Sequence, residues 1–158
     1  MFREVRRFKQ RLGREECLEI LKKAKRGVLS VNGDNGYPYG VPLNHYYDEE
    51  SGKIYFHGNL QGHKVDALRA DSKASFCVYD DGYREEGDWA LTFKSVIVFG
   101  TVREVEDPET VLKICRDLSY KFTSDDEYIE KEISNSGKRV LVHELTIEHM
   151  TGKKIREA

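Results

Sequence analysis

The chain has 158 residues, 39% of them hydrophobic and 34% charged, and a formal net charge of −2. That length is enough for one domain with a real core. The near-neutral balance excludes a strong global field that would favour DNA, RNA or a membrane surface. No apolar run reaches the ~18 residues of a membrane span, and the N-terminus lacks the apolar centre of a signal peptide. Cys17, Cys77 and Cys115 form no C-x-x-C pair, so reduced thiols and a cytoplasmic protein are expected.

Residues 1–13 form a basic N-terminal segment, expected as a solvated tail, and residues 14–158 read as one domain. From Arg14 to Lys25, Cys17, Ile20, Leu21 and Ala24 recur at helical spacing, and Gly27 stops the helix. Val28 to Val31 is a short strand, and Asn32-Gly33-Asp34-Asn35-Gly36 is a strong turn signal. Tyr37 to Asp48 reads as one extended segment, followed by a turn over Glu49 to Gly52 and a strand over Lys53 to Gly58. Short turns between strands predict an antiparallel meander.

A short helix then runs to about Ala70, with Val65 and Leu68 inward, and Ala74 to Tyr79 is the next strand. Asp80 to Asp88 is a charged loop. The stretch from Trp89 to Val105 holds a long strand whose interior Gly100 predicts a bulge or a barrel corner. Asp107-Pro108 starts a helix with an apolar stripe of Val111, Cys115, Leu118 and Phe122. A second, acidic helix spans Asp125 to Ile133, and Lys138 to Met150 is the last strand. The expectation is a mainly β protein with α decorations: six antiparallel strands closed into a barrel, which removes their edges.

Chemistry concentrates between Tyr37 and Lys64. His63 and Lys64 sit in the first turn of a predicted helix, where cations are unfavourable unless an anion binds the open N–H groups. A phosphate fits that place, and a plain surface lysine is the equal alternative. In Val41-Pro42-Leu43-Asn44 the proline cannot donate to a ladder. The strand is then either irregular, with backbone groups free for a ligand, or a guarded edge. His57 ends an aromatic strand and reads as structural or functional; His45, His57 and His63 match no zinc spacing, so no metal is expected. His143 and His149 are expected to be structural or at the surface. No P-loop, nucleophile elbow or dinucleotide fingerprint is present.

In order and spacing these pieces resemble the flavin-binding split barrels of the pyridoxamine 5′-phosphate oxidase-like superfamily, and most of all its nitroimidazole-resistance branch. The matching pieces are Gly36-Tyr37-Pro38-Tyr39-Gly40-Val41-Pro42-Leu43-Asn44, Ile54-Tyr55-Phe56-His57-Gly58 and Gly62-His63-Lys64. Further on come Ser75-Phe76-Cys77-Val78, Ser95-Val96-Ile97-Val98-Phe99-Gly100 and Thr151-Gly152-Lys153. The resemblance implies a split β-barrel homodimer with FMN, or FAD as in some relatives, at the subunit interface. It implies that Val41, Pro42, Leu43 and Asn44 line the flavin ring, with His57 and Gly58 near its ribityl chain and edge. His63 and Lys64 would hold the phosphate, and Ser95, Val96 and Trp89 would approach from the second subunit. It implies a nitroreductase-like oxidoreductase acting on a small aromatic molecule, with His57 as the catalytic candidate. The paired Arg-and-Lys phosphate pattern and the C-terminal arginine segment of true pyridoxamine phosphate oxidases are absent from the sequence. The rival reading is a non-catalytic flavin- or haem-binding store or sensor, with a histidine as axial ligand. A DNA-binding role for the basic segment has little support from the acidic remainder.

Overall fold

The structure is a computed structural model that describes residues 1–136 and 139–157. Lys138 and Ala158, where the sequence starts the last strand and ends the domain, lie outside the described residues. Helix α1 (Arg14–Lys23) buries Cys17, Ile20 and Leu21. Strands β1 (Arg26–Asn32), β2 (Pro38–Asn44), β3 (Tyr46–Asp48) and β4 (Lys53–Gly58) follow. Next come α2 (His63–Ala70), β5 (Lys73–Tyr79), β6 (Tyr83–Arg84) and β7 (Leu91–Glu104). Helices α3 (Pro108–Tyr120) and α4 (Asp126–Ser136) lead into β8 (Leu141–Arg156).

The eight strands make one antiparallel sheet in the order β2-β1-β5-β7-β8-β4-β3, with β6 added to β7. The two end strands are consecutive in the chain and are separated only by His45. β2 pairs back onto β1 and β3 pairs forward onto β4, so the sheet returns to its starting segment and closes a split barrel. The expected fold class holds, and the strand count rises from six to eight. The segment Tyr37 to Asp48 breaks in two, and the charged loop contributes the two-residue β6.

The break has a physical cause in tertiary bonds. His45 is fully buried, and its Nε2 donates to the Leu21 carbonyl at 2.7 Å. The Lys121 ammonium donates to the His45 carbonyl at 2.7 Å and to the Ala24 carbonyl at 2.8 Å. Polar groups at this point therefore bond to the end of α1 and to Lys121, the residue after α3, instead of to a ladder.

β7 pairs with β8 along its length, with a register shift between Phe99 and Gly100. A Cβ on Gly100 would run into the Thr146 carbonyl, so only glycine allows the two strands to approach at this corner. Because β7 keeps pairing down to Thr92, β8 extends past Met150 to Arg156. Inside the barrel, Leu29, Ile54, Phe56, Phe76, Val78, Val96, Val98 and Leu145 are fully buried. Phe56 meets the edge of Phe76 with ring centres 5.1 Å apart. Outside it, Tyr55 and Val142 pack against Ile114 and Cys115 of α3. Asp107 caps α3 by accepting from the Thr110 amide at 2.9 Å. Phe122 lies beyond the end of α3 and is 39% exposed, so Ile114 takes the place expected for it on the buried stripe.

The basic segment is tied down at its end. Leu12 is buried and its amide donates to the Gly152 carbonyl at 3.0 Å, while Arg3, Arg6 and Arg7 are exposed. Among the described residues no helix is long and apolar enough to cross a membrane.

Candidate functional site

β4 ends at Gly58 and the chain turns directly into α2 at His63. The N-cap residue is Gly62, which offers no side-chain hydrogen bond, so the first-turn amides of α2 have no side-chain acceptor. Lys64 reaches back over β4. Its Nζ lies 3.0 Å from the place a Cβ on Gly58 would occupy, so the missing side chain makes room for the ammonium. Lys64 is half-buried, has no carboxylate partner among the described residues, and burial lowers its pKa. Desolvating an ammonium without a counter-charge is unfavourable, and a bound anion would offset that cost.

Two histidines share this corner. His57 is exposed at the end of β4, yet partial burial and then the Lys64 charge lower its pKa and favour the neutral ring. His143 on β8 is almost completely buried, and burial followed by Lys64 lowers its pKa to about 4. Beside them Arg69 of α2 pairs with Glu104 of β7 at 2.7 Å.

His63 turns away from Lys64. Neighbouring helix positions diverge by roughly 100°, and His63 stacks on Tyr39 with ring centres 4.1 Å apart. Its Nε2 sits 3.7 Å from an Asp34 carboxylate oxygen in the β1–β2 turn. The two residues expected together on a phosphate thus face two walls: Lys64 the end of β4, His63 the β1–β2 hairpin.

Val41, Pro42, Leu43 and Asn44 lie on β2, which pairs with β1 without interruption. The irregularity comes one residue later, at His45, and the far edge of β2 pairs with no strand among the described residues. Val41 and Leu43 turn toward the core and Pro42 is exposed, as strand alternation requires. Ser95 is partly buried on β7, the Val96 side chain is fully buried in the core, and Trp89 is 75% exposed in the loop before β7. Ser95 pairs with Lys153, whereas Glu104 pairs with His143. Nine residues of strand separate those two places, about 30 Å measured along the strand. One chain therefore brings Lys64 and Gly58 together at the end of β4, with His57 beside them and the start of β2 against His63, and it leaves Ser95 and Trp89 toward the other end of the β7–β8 ladder.

The pyridoxamine 5′-phosphate oxidase family model matches residues 13–154, nearly the whole chain. The chain belongs to this family. Among curated proteins none is significantly similar. Solved structures of family-like fold include a candidate 5-nitroimidazole antibiotic resistance protein from Bacteroides thetaiotaomicron, 18% identical, with a TM-score of 0.77 over 93% of this chain and 87% of that one. An FAD-binding protein from Mesorhizobium loti is 23% identical, with a TM-score of 0.64 over 94% and 97% of the two chains. An FAD-binding protein from Mycobacterium smegmatis is 18% identical, with a TM-score of 0.68 over 94% and 99%. At these identities the likeness is one of fold, and it places this family member among the split barrels.

Family membership was legible in the motif order, but His143 was not. Its signal is a phase change where β8 begins: Val140 and Val142 keep one parity, whereas Leu145 and Ile147 keep the other. The switch marks where β8 stops packing on α3 with one face and starts filling the barrel with the other, and His143 lies at the switch, on the barrel side.

Proposed function

We propose that this chain is a flavoprotein, a homodimer that holds the phosphate of FMN at Lys64 and reduces a small aromatic, nitroaromatic-like substrate. The observation that carries the reading is the half-buried Lys64 ammonium, without a carboxylate partner among the described residues, above Gly58 at the open first turn of α2. A cation there costs a few tenths of a kcal/mol against the helix dipole, and a bound phosphate reverses the sign. The residues present fit such a group: Gly58 leaves the space, Lys64 supplies the charge, and the α2 amides supply donors.

The remaining roles follow from position. The unpaired edge of β2 would place Val41, Pro42, Leu43 and Asn44 beside the flavin ring, with His57 and Gly58 next to it at the end of β4. His63 would form the hairpin wall with Tyr39. Bound flavin would supply the electron or hydride chemistry. His57, neutral at neutral pH, can donate from one nitrogen and accept at the other, so it can position a substrate or take a proton. Ser95, the Val96 backbone and Trp89 lie toward the end of the β7–β8 ladder away from His143, which favours a site shared by two copies. Support for that pairing comes from the outer sheet face, where Val28, Cys77, Ile97 and Thr151 lie in register and Ile97 and Phe99 are exposed. Cys17, Cys77 and Cys115 are free thiols, in keeping with a cytoplasmic location.

The test is spectroscopic and thermodynamic. Purified protein should show the two absorption bands of oxidised flavin; a Soret band would instead favour haem. The mass of the released chromophore separates FMN from FAD, the group named for two proteins of the same fold. In titrations the wild type should prefer FMN to riboflavin, and Lys64→Ala should lose at least about tenfold in FMN affinity, the value of one charge-assisted contact. Equal FMN affinity in Lys64→Ala would sink the phosphate assignment. Steady NAD(P)H-dependent reduction of a nitroaromatic separates an enzyme from a flavin store.

A further inference from the structure

His143 has no part in the roles above. It stands opposite Phe56 of β4 on one side and Glu104 of β7 on the other, facing into the end of the barrel. It is 2% exposed, and neither Nδ1 nor Nε2 has a hydrogen-bond partner among the described residues. Leaving a buried polar ring wholly unpaired is costly. The charged groups acting on it are Lys64 and Arg69 from α2 and Glu104 from β7; His57 of β4 feels the same Lys64 charge. Arg69 and Glu104 pair with each other at 2.7 Å. Among the described residues that leaves Lys64 as the uncompensated charge acting on the ring, and burial with Lys64 keeps the imidazole neutral in the free protein.

A phosphate monoester is a dianion above its second pKa of about 6. One ammonium balances half of that charge. We propose that His143 is the latent second cation of the Lys64 site: when a phosphate monoester docks against Lys64, His143 takes a proton from solvent onto a free ring nitrogen. The proposal rests on the reading of Lys64 as an anion anchor. Lys64 lies over Gly58, two residues along β4 from the Phe56 that stands opposite His143, so it repels a proton from that ring through a poorly solvated region, and a dianion in the same place attracts one. Coupling of this kind is reciprocal, so proton binding and anion binding strengthen each other, and affinity rises as pH falls.

The experiment measures affinities for FMN, riboflavin and inorganic phosphate between about pH 6.5 and 8.5, above the phosphate's own titration. The proteins compared are the wild type, His143→Gln, His143→Phe and His57→Gln. The phenylalanine variant fills the same space with an apolar ring and keeps the test open if the glutamine variant does not fold. FMN affinity should fall at least about threefold per pH unit, toward the tenfold limit of one coupled proton. The slope should vanish in the His143 variants, persist in His57→Gln and be absent for riboflavin. The imidazole NMR signal of wild-type His143 should move to the charged position on saturation with FMN. A slope that survives in the His143 variants, a slope abolished by His57→Gln, or an unmoved His143 signal overturns the proposal and leaves the flavin reading standing. Sloped binding of phosphate without binding of FMN overturns the flavin reading alone. Binding of neither overturns both.

Discussion

At the scale of single residues, two glycines set the site and the barrel. Gly58 is the space that Lys64 occupies, and the neighbour a Cβ would meet is the flexible end of a side chain. Gly58→Ala should therefore change stability by less than about 1 kcal/mol, within the range of tolerated small changes. It should still push the ammonium away and weaken FMN binding several-fold in a titration. Gly100 is the opposite case. Its missing Cβ faces the Thr146 backbone, which cannot move without shifting β8. Gly100→Ala should destabilise the protein by about 3 kcal/mol or more, the upper range for overpacking, as read by urea unfolding. Equal stability losses in the two variants would refute this distinction.

At the scale of elements, the closure of the barrel depends on a tie between helices and the His45 break. The carbonyls of Leu21 and Ala24, at the end of α1, take their donors from His45 and Lys121, residues far away in sequence. Lys121 follows α3 directly and also bonds the His45 carbonyl, so one ammonium joins α1, the β2–β3 break and α3. Burial lowers its pKa to about 8. Lys121→Met should cost about 2 kcal/mol, because two carbonyls lose charged donors. The loss should appear as a lower urea midpoint, together with faster amide exchange at the end of α1. A change below the error of the urea fit would show that solvent replaces the tie.

At the scale of the whole molecule, acid sensitivity follows from His45 and His143. Burial first, and then Lys121 for His45 and Lys64 for His143, hold both folded pKa values at about 4 against 6.5 for the free side chain. Between those values the unfolded chain binds more protons than the native one. The stabilisation is fully present above about pH 6.5 and is lost as pH falls toward 4. His45→Gln, which keeps an N–H donor and removes the ionisation, should flatten part of that fall in urea midpoints. A steep fall unchanged in this variant would assign the acid sensitivity to other groups. The proposed pairing of two copies belongs to this scale too. Ile97 is 40% exposed on the outer sheet face, so Ile97→Glu should leave the fold intact by circular dichroism. It should shift sedimentation to the monomer and remove bound flavin. A variant that stays dimeric and loaded would exclude that face.

Local features follow from short-range stereochemistry. Strand alternation, the Asp107-Pro108 helix start, the Gly100 corner and the Gly62-His63-Lys64 turn depend on neighbours within a few residues, and each is found in the fold. The motif order was also enough to indicate the family, because those turns and strand ends recur at fixed spacing. Three things were decided only in three dimensions. The break at His45 comes from bonds to Leu21 and Lys121, partners that no local pattern reveals. His63 and Lys64 are adjacent in sequence but separate in space, since a helix turns successive side chains toward different walls. His143 falls in an alternating strand and reads as ordinary, and its burial beside Lys64 arises from the register of β8 against β4 and β7. Local stereochemistry travels with the chain; the electric environment of a buried group depends on which distant charges the closed barrel sets around it.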